Sequence, residues 1–316
     1  NTTSTIKTLA LGSNSANGNT AYNTLELKGG NTTITDTLSI EANKGINFDF
    51  SGTSSLQNTL TNSAGVLTLN FKQEVGTLNG SISTNGGNTS INLSDGASGI
   101  ITGSINGSGG TTTISYASGA SAKTLTLQGG DNKIASLTLG NTNPSTHNTF
   151  NLQSGNTSIT QKLEIKNSQE LTTNLTSTAN LTLTGNLDNS GNHTINFNGT
   201  SHTLSGAIST LSGGTTSLNL STGTQATITG DTSSAGITNI NLLNNSSLKF
   251  QTKLSTTAGN TTIDFKGESG KIQGGIETTS NATTTFNFGL QDSQIAVATI
   301  DGALTNTSAN QVFNIN

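Results

Sequence analysis

Sixteen carboxylates and three histidines are the side chains of this 316-residue chain with the types needed for acid–base or metal chemistry. Cleaving a substrate bond requires an acid and a base that converge on it, and here the acids are scattered, none closer in sequence than Asp264 and Glu268. Glu277 and Asp301 are spaced close to the repeat interval described below, so they fall approximately in register, but no adjacent cation supports a dyad and they read as solvated charges. His193 and His202 share one repeat. As metal ligands they lack a third partner, and as bases they lack a nucleophile with an orienting carboxylate, so both read as corner histidines. No Gly-x-Ser-x-Gly element is present, and "GGDNKIASL" does not match a calcium-binding nonapeptide array. The paired glycines are followed by no helix, which removes a phosphate cradle. No catalytic, cofactor-binding or metal-binding residue is therefore assigned, and the chain reads as non-enzymatic.

Composition narrows the classes further. Only 29% of residues are apolar, 9% are charged, one is proline and 38 are glycine. Disordered chains of low hydrophobicity usually carry abundant charge or proline; this one is instead rich in Asn, Thr, Ser and Gly, which suit tight turns and hydrated strand faces. The cations are all lysine and the formal charge is −4, whereas nucleic-acid binding needs a concentrated basic patch and favours arginine. The lack of cysteine excludes disulfides and thiolate metal sites and fits export through an oxidising compartment. No apolar run is long enough for a membrane-spanning helix, and the start "NTTSTIKTLALGS" is not a signal peptide, so a targeting segment is expected to lie outside this sequence.

The elements that position these residues come from a repeat. A phrase of small corner residues followed by a polar/apolar alternation recurs as "GGNTTIT" at Ile34, "AGVLTLNF" at Leu69, "GGNTSINL" at Ile91, "GGTTTISY" at Ile114, "GGDNKIA" at Ile134 and "SGNTSIT" at Ile159. It continues at Ile195, Leu218, Ile240, Ile263 and Phe286, with intervals of 23, 22, 23 and 23 residues. A second phrase, [Leu/Ile]-x-Gly-x-[Ile/Leu], falls about halfway between, at 78–82, 101–105, 183–187, 204–208, 272–276 and 300–304. Both alternate at period two, as half-buried strands do. Short strands, Gly/Asn/Ser corners and a period near 23 describe a parallel β-solenoid with one circuit per repeat. Ile91 and Leu93 should then stack on Ile114 and Tyr116, and strand spacing gives a rod on the order of 65 Å.

Two finer expectations follow. Asn70, Asn92, Asn196, Asn219, Asn241, Asp264 and Asn287 occupy the outward middle of the phrase and should form a ladder of stacked amides. Gly80, Gly103, Gly185, Gly206 and Gly274 have inward parity, which marks either a convergence of walls in a narrow cross-section or a turn needing positive φ. Irregular loops are expected near 140–148, around Pro144, and near 166–174. The whole chain, 1–316, reads as a single β-helical domain. Thr-x-Thr pairs such as Thr124/Thr126 are interrupted by Asn79, Gln273 and Asp301, so an ice-binding array is excluded.

The iterated "GGNTSINL", "GGTTSLNL", "LSGAI" and "ITGSI" phrases resemble the passenger regions of bacterial type V autotransporters, and within them the vacuolating-cytotoxin-like group. That resemblance covers essentially the whole chain. It implies a right-handed single-stranded parallel β-helix, an outer-membrane barrel elsewhere on the polypeptide, and a cell-surface or secreted location. The function it implies is adhesion to a host cell-surface or matrix component and colonisation, with possible self-association. A toxin-like passenger is the alternative, although the apolar N-terminal segment that serves pore formation in that group has no counterpart here. A carbohydrate-active β-helix enzyme using Glu277 or Asp301 is a further alternative.

Overall fold

In a computed structural model, residues 3–9, 11, 22–107, 109–140, 145–267, 269–289 and 297–315 are described. Contacts divide the chain into two compact units, Asn1–Thr160 and Gln161–Asn316. Each is a right-handed, single-stranded parallel β-solenoid of about 23 residues per circuit, the hand expected of parallel crossovers.

In the second unit each circuit contributes three strands, exemplified by Asn192–Gly199, Ser201–Ser205 and Ile208–Thr210. The first face stacks Gln169–Ser177, Asn192–Gly199, Thr215–Leu220, Ile237–Leu242, Asn260–Phe265, Thr283–Phe288 and Asn310–Ile315, all parallel and in register. Ile195, Leu218, Ile240, Ile263 and Phe286 form one continuous inward column, as their spacing predicts, and all are fully buried. Beside it run Phe197, Leu220, Leu242 and Phe265. Aromatic rings meet face to face where the register places like on like: Phe265 on Phe288 at 5.1 Å and Phe286 on Phe313 at 4.8 Å. The second and third faces are built from shorter strands, except that Ser246–Thr256 and Ser269–Thr279 each run round the corner and serve both.

The first unit has the same plan. One face stacks Asn23–Leu27, Gly45–Ser51, the start of Val66–Asn79, Asn88–Leu93, Thr111–Tyr116 and Ser136–Leu139. Ile91 lies on Ile114 and Leu93 on Tyr116 as expected. A second face stacks Thr3–Ile6, Gly30–Ile34, Ser54–Gln57, the end of Val66–Asn79, Ala97–Ile101, Lys123–Leu127 and Ser145–Leu152. A third contains Leu38–Ile40, Leu60–Asn62, Ile82–Thr84 and Ile105–Gly107, while Asn132–Ile134 pairs with Asn156–Ile159.

Several sequence expectations are revised. The glycine-led phrase does not mark a single face: Ile114 pairs with Leu137, whereas Ile134 pairs with Ile159, and Ile34 sits on the second face opposite Ile6. A small-residue corner followed by an alternating strand is a local solution, so any side of the circuit can adopt it. The 166–174 loop is instead a tight turn at 167–168 leading into the strand Gln169–Ser177. Buried Gln169 and Thr173 occupy inward places and disguise the alternation, and the Gln169 side chain accepts the Lys166 N–H at 2.7 Å. Of the segment 140–148, residues 141–144 lie outside the described residues and the strand Ser145–Leu152 begins directly after them.

The glycines of the second phrase are corner residues rather than inward ones. A Cβ on Gly80 would overlap the Asn58 carbonyl of the preceding circuit, and Gly206 and Gly274 also have φ of +116° and +104°. The corner before the long first-face strands is tighter still. The carbonyls of Gly191, Gly214, Gly236 and Gly259 accept the N–H that opens the next circuit's strand, at 2.7 to 3.2 Å, and a Cβ on Gly259 would overlap the Gly236 oxygen. Gly259→Ala is therefore expected to cost about 1–3 kcal/mol and lower the thermal midpoint followed by far-ultraviolet circular dichroism. Ser217→Ala, a change at an outward position, should stay within about 0.5 kcal/mol; equal midpoints for the two variants would refute the close-approach account.

Candidate functional site

Among the described residues, those with catalytic potential do not converge. Glu277 pairs in register with Ser255 and Thr305 on the third face of its unit, and Asp301 with Gln273 on the second, so the expected approximate register between the two carboxylates is corrected. Glu277 is held by Lys253 Nζ at 2.5 Å and Ser255 Oγ at 2.9 Å. Asp301 is held by Lys271 Nζ at 3.2 Å and Gln273 Nε2 at 3.3 Å. These hydrogen bonds, from the lysine first, push both carboxyls below the usual range. A general acid needs the opposite shift, so this geometry makes them charged tethers between circuits. Asp264 accepts the Asn287 amide at 2.6 Å and stands 3.8 Å from Lys266; Glu268 lies outside the described residues. Among the described residues no group of three or more His, Cys, Asp and Glu side chains is arranged to hold a metal.

The two histidines are buried strand residues rather than corner ones. His193 fills the inward slot that Thr216, Thr238, Thr261 and Thr284 occupy in later circuits. Its Nε2 lies 3.0 Å from the Thr173 hydroxyl while its Nδ1 has no partner. Desolvation lowers its pKa to about 3. His202 donates Nδ1–H to the Ala179 carbonyl at 2.8 Å and packs its ring 5.9 Å from that of Phe197.

The outward amide ladder is present in both units. In the first, Asn92 Nδ2 donates to Asn70 Oδ1 at 2.9 Å and Asn70 Nδ2 to Asp49 Oδ1 at 2.7 Å, with Lys72 2.6 Å from the same carboxylate. In the second, Asn196 donates to Asn174, Asn219 to Asn196 and Asn241 to Asn219, at 2.7, 2.8 and 2.7 Å. Asn314 donates to Asn287 at 2.8 Å. Every donor points toward the preceding circuit, and Asn70, Asn196, Asn219 and Asn287 each both donate and accept.

Sequence reasoning missed a fully enclosed charge. Lys123 takes an inward place at the start of its strand and is fully buried. Its Nζ donates to Asp95 Oδ1 at 3.0 Å and to the carbonyls of Gly119 and Ser121 at 3.0 and 2.8 Å. Lys123 is also the main cause of the lowered Asp95 pKa, aided by Ser121. The available signal was a lysine on the apolar phase of "KTLTL". This cluster ties a corner loop to the preceding circuit rather than forming a reactive centre.

What remains outward is broad and polar. On the second face of the first unit the register aligns Asn31, Ser55, Thr77, Ile100, Thr126 and Asn151 in one row. Thr33, Gln57 and Asn79 form a row beside it. Two shallow grooves of about 410 and 310 Å³ open on this wall and share Asn79. In the second unit, a groove of about 430 Å³ runs between outward rows of the first face, bordered by Glu170, Thr194 and Ser217. No protein family, curated protein or solved structure matches the chain.

Two outcomes are expected from the buried groups. The folded His193 binds a proton only near pH 3, whereas the unfolded chain does so near 6.5. Stability is therefore complete above about pH 6.5 and declines as pH falls, by up to about 1.4 kcal/mol per pH unit. Between pH 6.5 and 5, before most carboxylates titrate, thermal midpoints of the wild type should fall while those of His193→Thr stay level; parallel curves would contradict this. Asp95→Ala, which strips the buried ammonium of its counter-charge, should lower the denaturation midpoint. Combining it with Lys123→Met should recover most of that loss in chemical denaturation, and additive losses would show that the pair is not coupled.

Proposed function

We propose that this chain is a non-enzymatic adhesive segment of a secreted or surface-displayed bacterial protein of the autotransporter-passenger type, holding its outward walls against a host cell-surface or matrix component. The observation that carries this reading is the layout of the outward positions: stacked rows of hydroxyl and amide side chains run along the second face of the first unit, while Glu277 and Asp301 are tied separately to lysines. Such a surface offers many equivalent weak contacts, which suits attachment by multivalency. The solenoid supports it by presenting those contacts at fixed intervals, and the repeats quoted above resemble passenger sequences. Self-association and export through a membrane barrel belong to the same reading.

Purified protein should bind cultured epithelial cells or immobilised matrix saturably, and Glu277→Gln and Asp301→Asn should bind as the wild type does. Absence of binding, together with glycan cleavage that either substitution abolishes, would replace the adhesive reading with an enzymatic one.

A further inference from the structure

Resting on that adhesive reading, we infer that the double groove on the second face of the first unit is a binding site for an uncharged oligosaccharide. Its two halves meet at Asn79 and are lined chiefly by Thr33 and Gln57 on one side and by Asn31, Ser55 and Thr77 on the other. None of its lining residues is ionisable. Glu74 stands beside it, but its carboxylate is engaged by the Thr53 N–H at 2.9 Å and hydroxyl at 3.0 Å.

The chemistry of the lining selects the ligand. Hydroxyls and carboxamides each donate and accept, so they match a ligand whose own hydroxyls do both. An anionic glycan, a nucleic acid or a charged peptide would find no counter-charge in the lining. An apolar ligand would leave the amides of Asn31, Gln57 and Asn79 without partners, which is costly. An extended peptide would find no free sheet edge here, since the strands Gly30–Ile34 and Ser54–Gln57 are each paired on both sides. Successive strands repeat at a spacing of about 4.8 Å, so one chain of sugar units crossing them meets an amide or hydroxyl at each of Asn31, Ser55 and Thr77. Val75, 38% exposed, adds a small apolar spot for a sugar's C–H face.

Asn58 is a second, independent pointer. Its Nδ2 donates to the Ile34 and Asp36 carbonyls at 2.6 and 3.1 Å, while its Oδ1 is a buried acceptor to which no described group donates. It borders the same groove. A water reaching that oxygen and bridging to a bound hydroxyl would satisfy it.

The test is a printed array of neutral, sialylated and sulfated oligosaccharides probed with the wild-type protein, with Thr77→Arg, which fills the groove, and with Thr194→Arg, an outward control in the second unit. Circular dichroism verifies each fold. Neutral glycans should be retained by the wild type and the control, with at least a tenfold loss for Thr77→Arg. Asn79→Ala should weaken the same glycans without changing their order. Preference for acidic glycans, no glycan bound, or full binding by Thr77→Arg would each overturn the inference. Cells still held by Thr77→Arg would also overturn the groove's role while leaving the adhesive reading in place; wild-type protein that binds neutral glycans but not cells would do the reverse.

Discussion

In-register parallel pairing between successive circuits is the constraint from which the rest of this structure follows. Residues paired in register lie about 4.8 Å from their counterparts in the next circuit, so an inward side chain is buried by its counterparts above and below. Ile240 is sealed by Leu218 and Ile263 and needs no distant partner. Each circuit therefore requires only a few apolar residues per strand, which is how a chain with 29% apolar content builds continuous dry columns. The cost falls on the corners, where backbones of neighbouring circuits approach so closely that glycine is demanded at places such as Gly236 and Gly259.

The same constraint governs the polar residues. Stacking like on like places equal charges one strand apart, which is unfavourable at every step, whereas amides and hydroxyls complement themselves because each donates and accepts. The outward Asn rows obey this rule, and so do the buried corners: Thr84 meets Thr89 and Thr112 at 2.9 and 3.1 Å, and Thr256 meets Thr261 at 2.6 Å. Where a carboxylate enters a ladder it can accept but not donate, so Asp49 needs Lys72, and Asp264 takes the amide of Asn287 and has Lys266 nearby. The scarcity of charge in the composition is thus a consequence of the repeat geometry.

What was legible in the sequence was whatever repeats. The column from Ile195 to Phe286, the pairing of Ile91 with Ile114 and the Asn ladder all follow from spacing and period-two alternation. What was hidden depended on how the circuit bends. The phrase around Ile134 looks like that around Ile114 yet lies on another face, because the side on which a strand falls is set by the summed lengths of three strands and three corners. Inward polar residues concealed the strand at Gln169–Ser177, and Lys123 was hidden because the groups that neutralise it, Asp95 and two carbonyls, come from loops with no periodic signature. The wall grooves were equally invisible, since they arise from residues more than twenty positions apart, such as Thr33, Gln57 and Asn79.

A surface made in this way works by repetition rather than by concentration. Enzymes gather dissimilar groups around one point, but stacking similar residues at each level of a face spreads the same group along it instead. Departures from the pattern are accordingly informative, because they are where the repeat tolerates something its neighbours do not share. Most of them here are inward or paired: His193 replaces threonine in the core, Lys123 is enclosed by acceptors, and Asp264 has Lys266 and Asn287 around it. Around the double groove on the second face of the first unit the irregular residues are instead outward and uncharged, with Gln57 and Val75 standing among threonine, serine and asparagine. Specific recognition on a repeating wall requires such a local break in sameness, and among the described residues this stretch provides one without introducing a charge that the stacking would penalise.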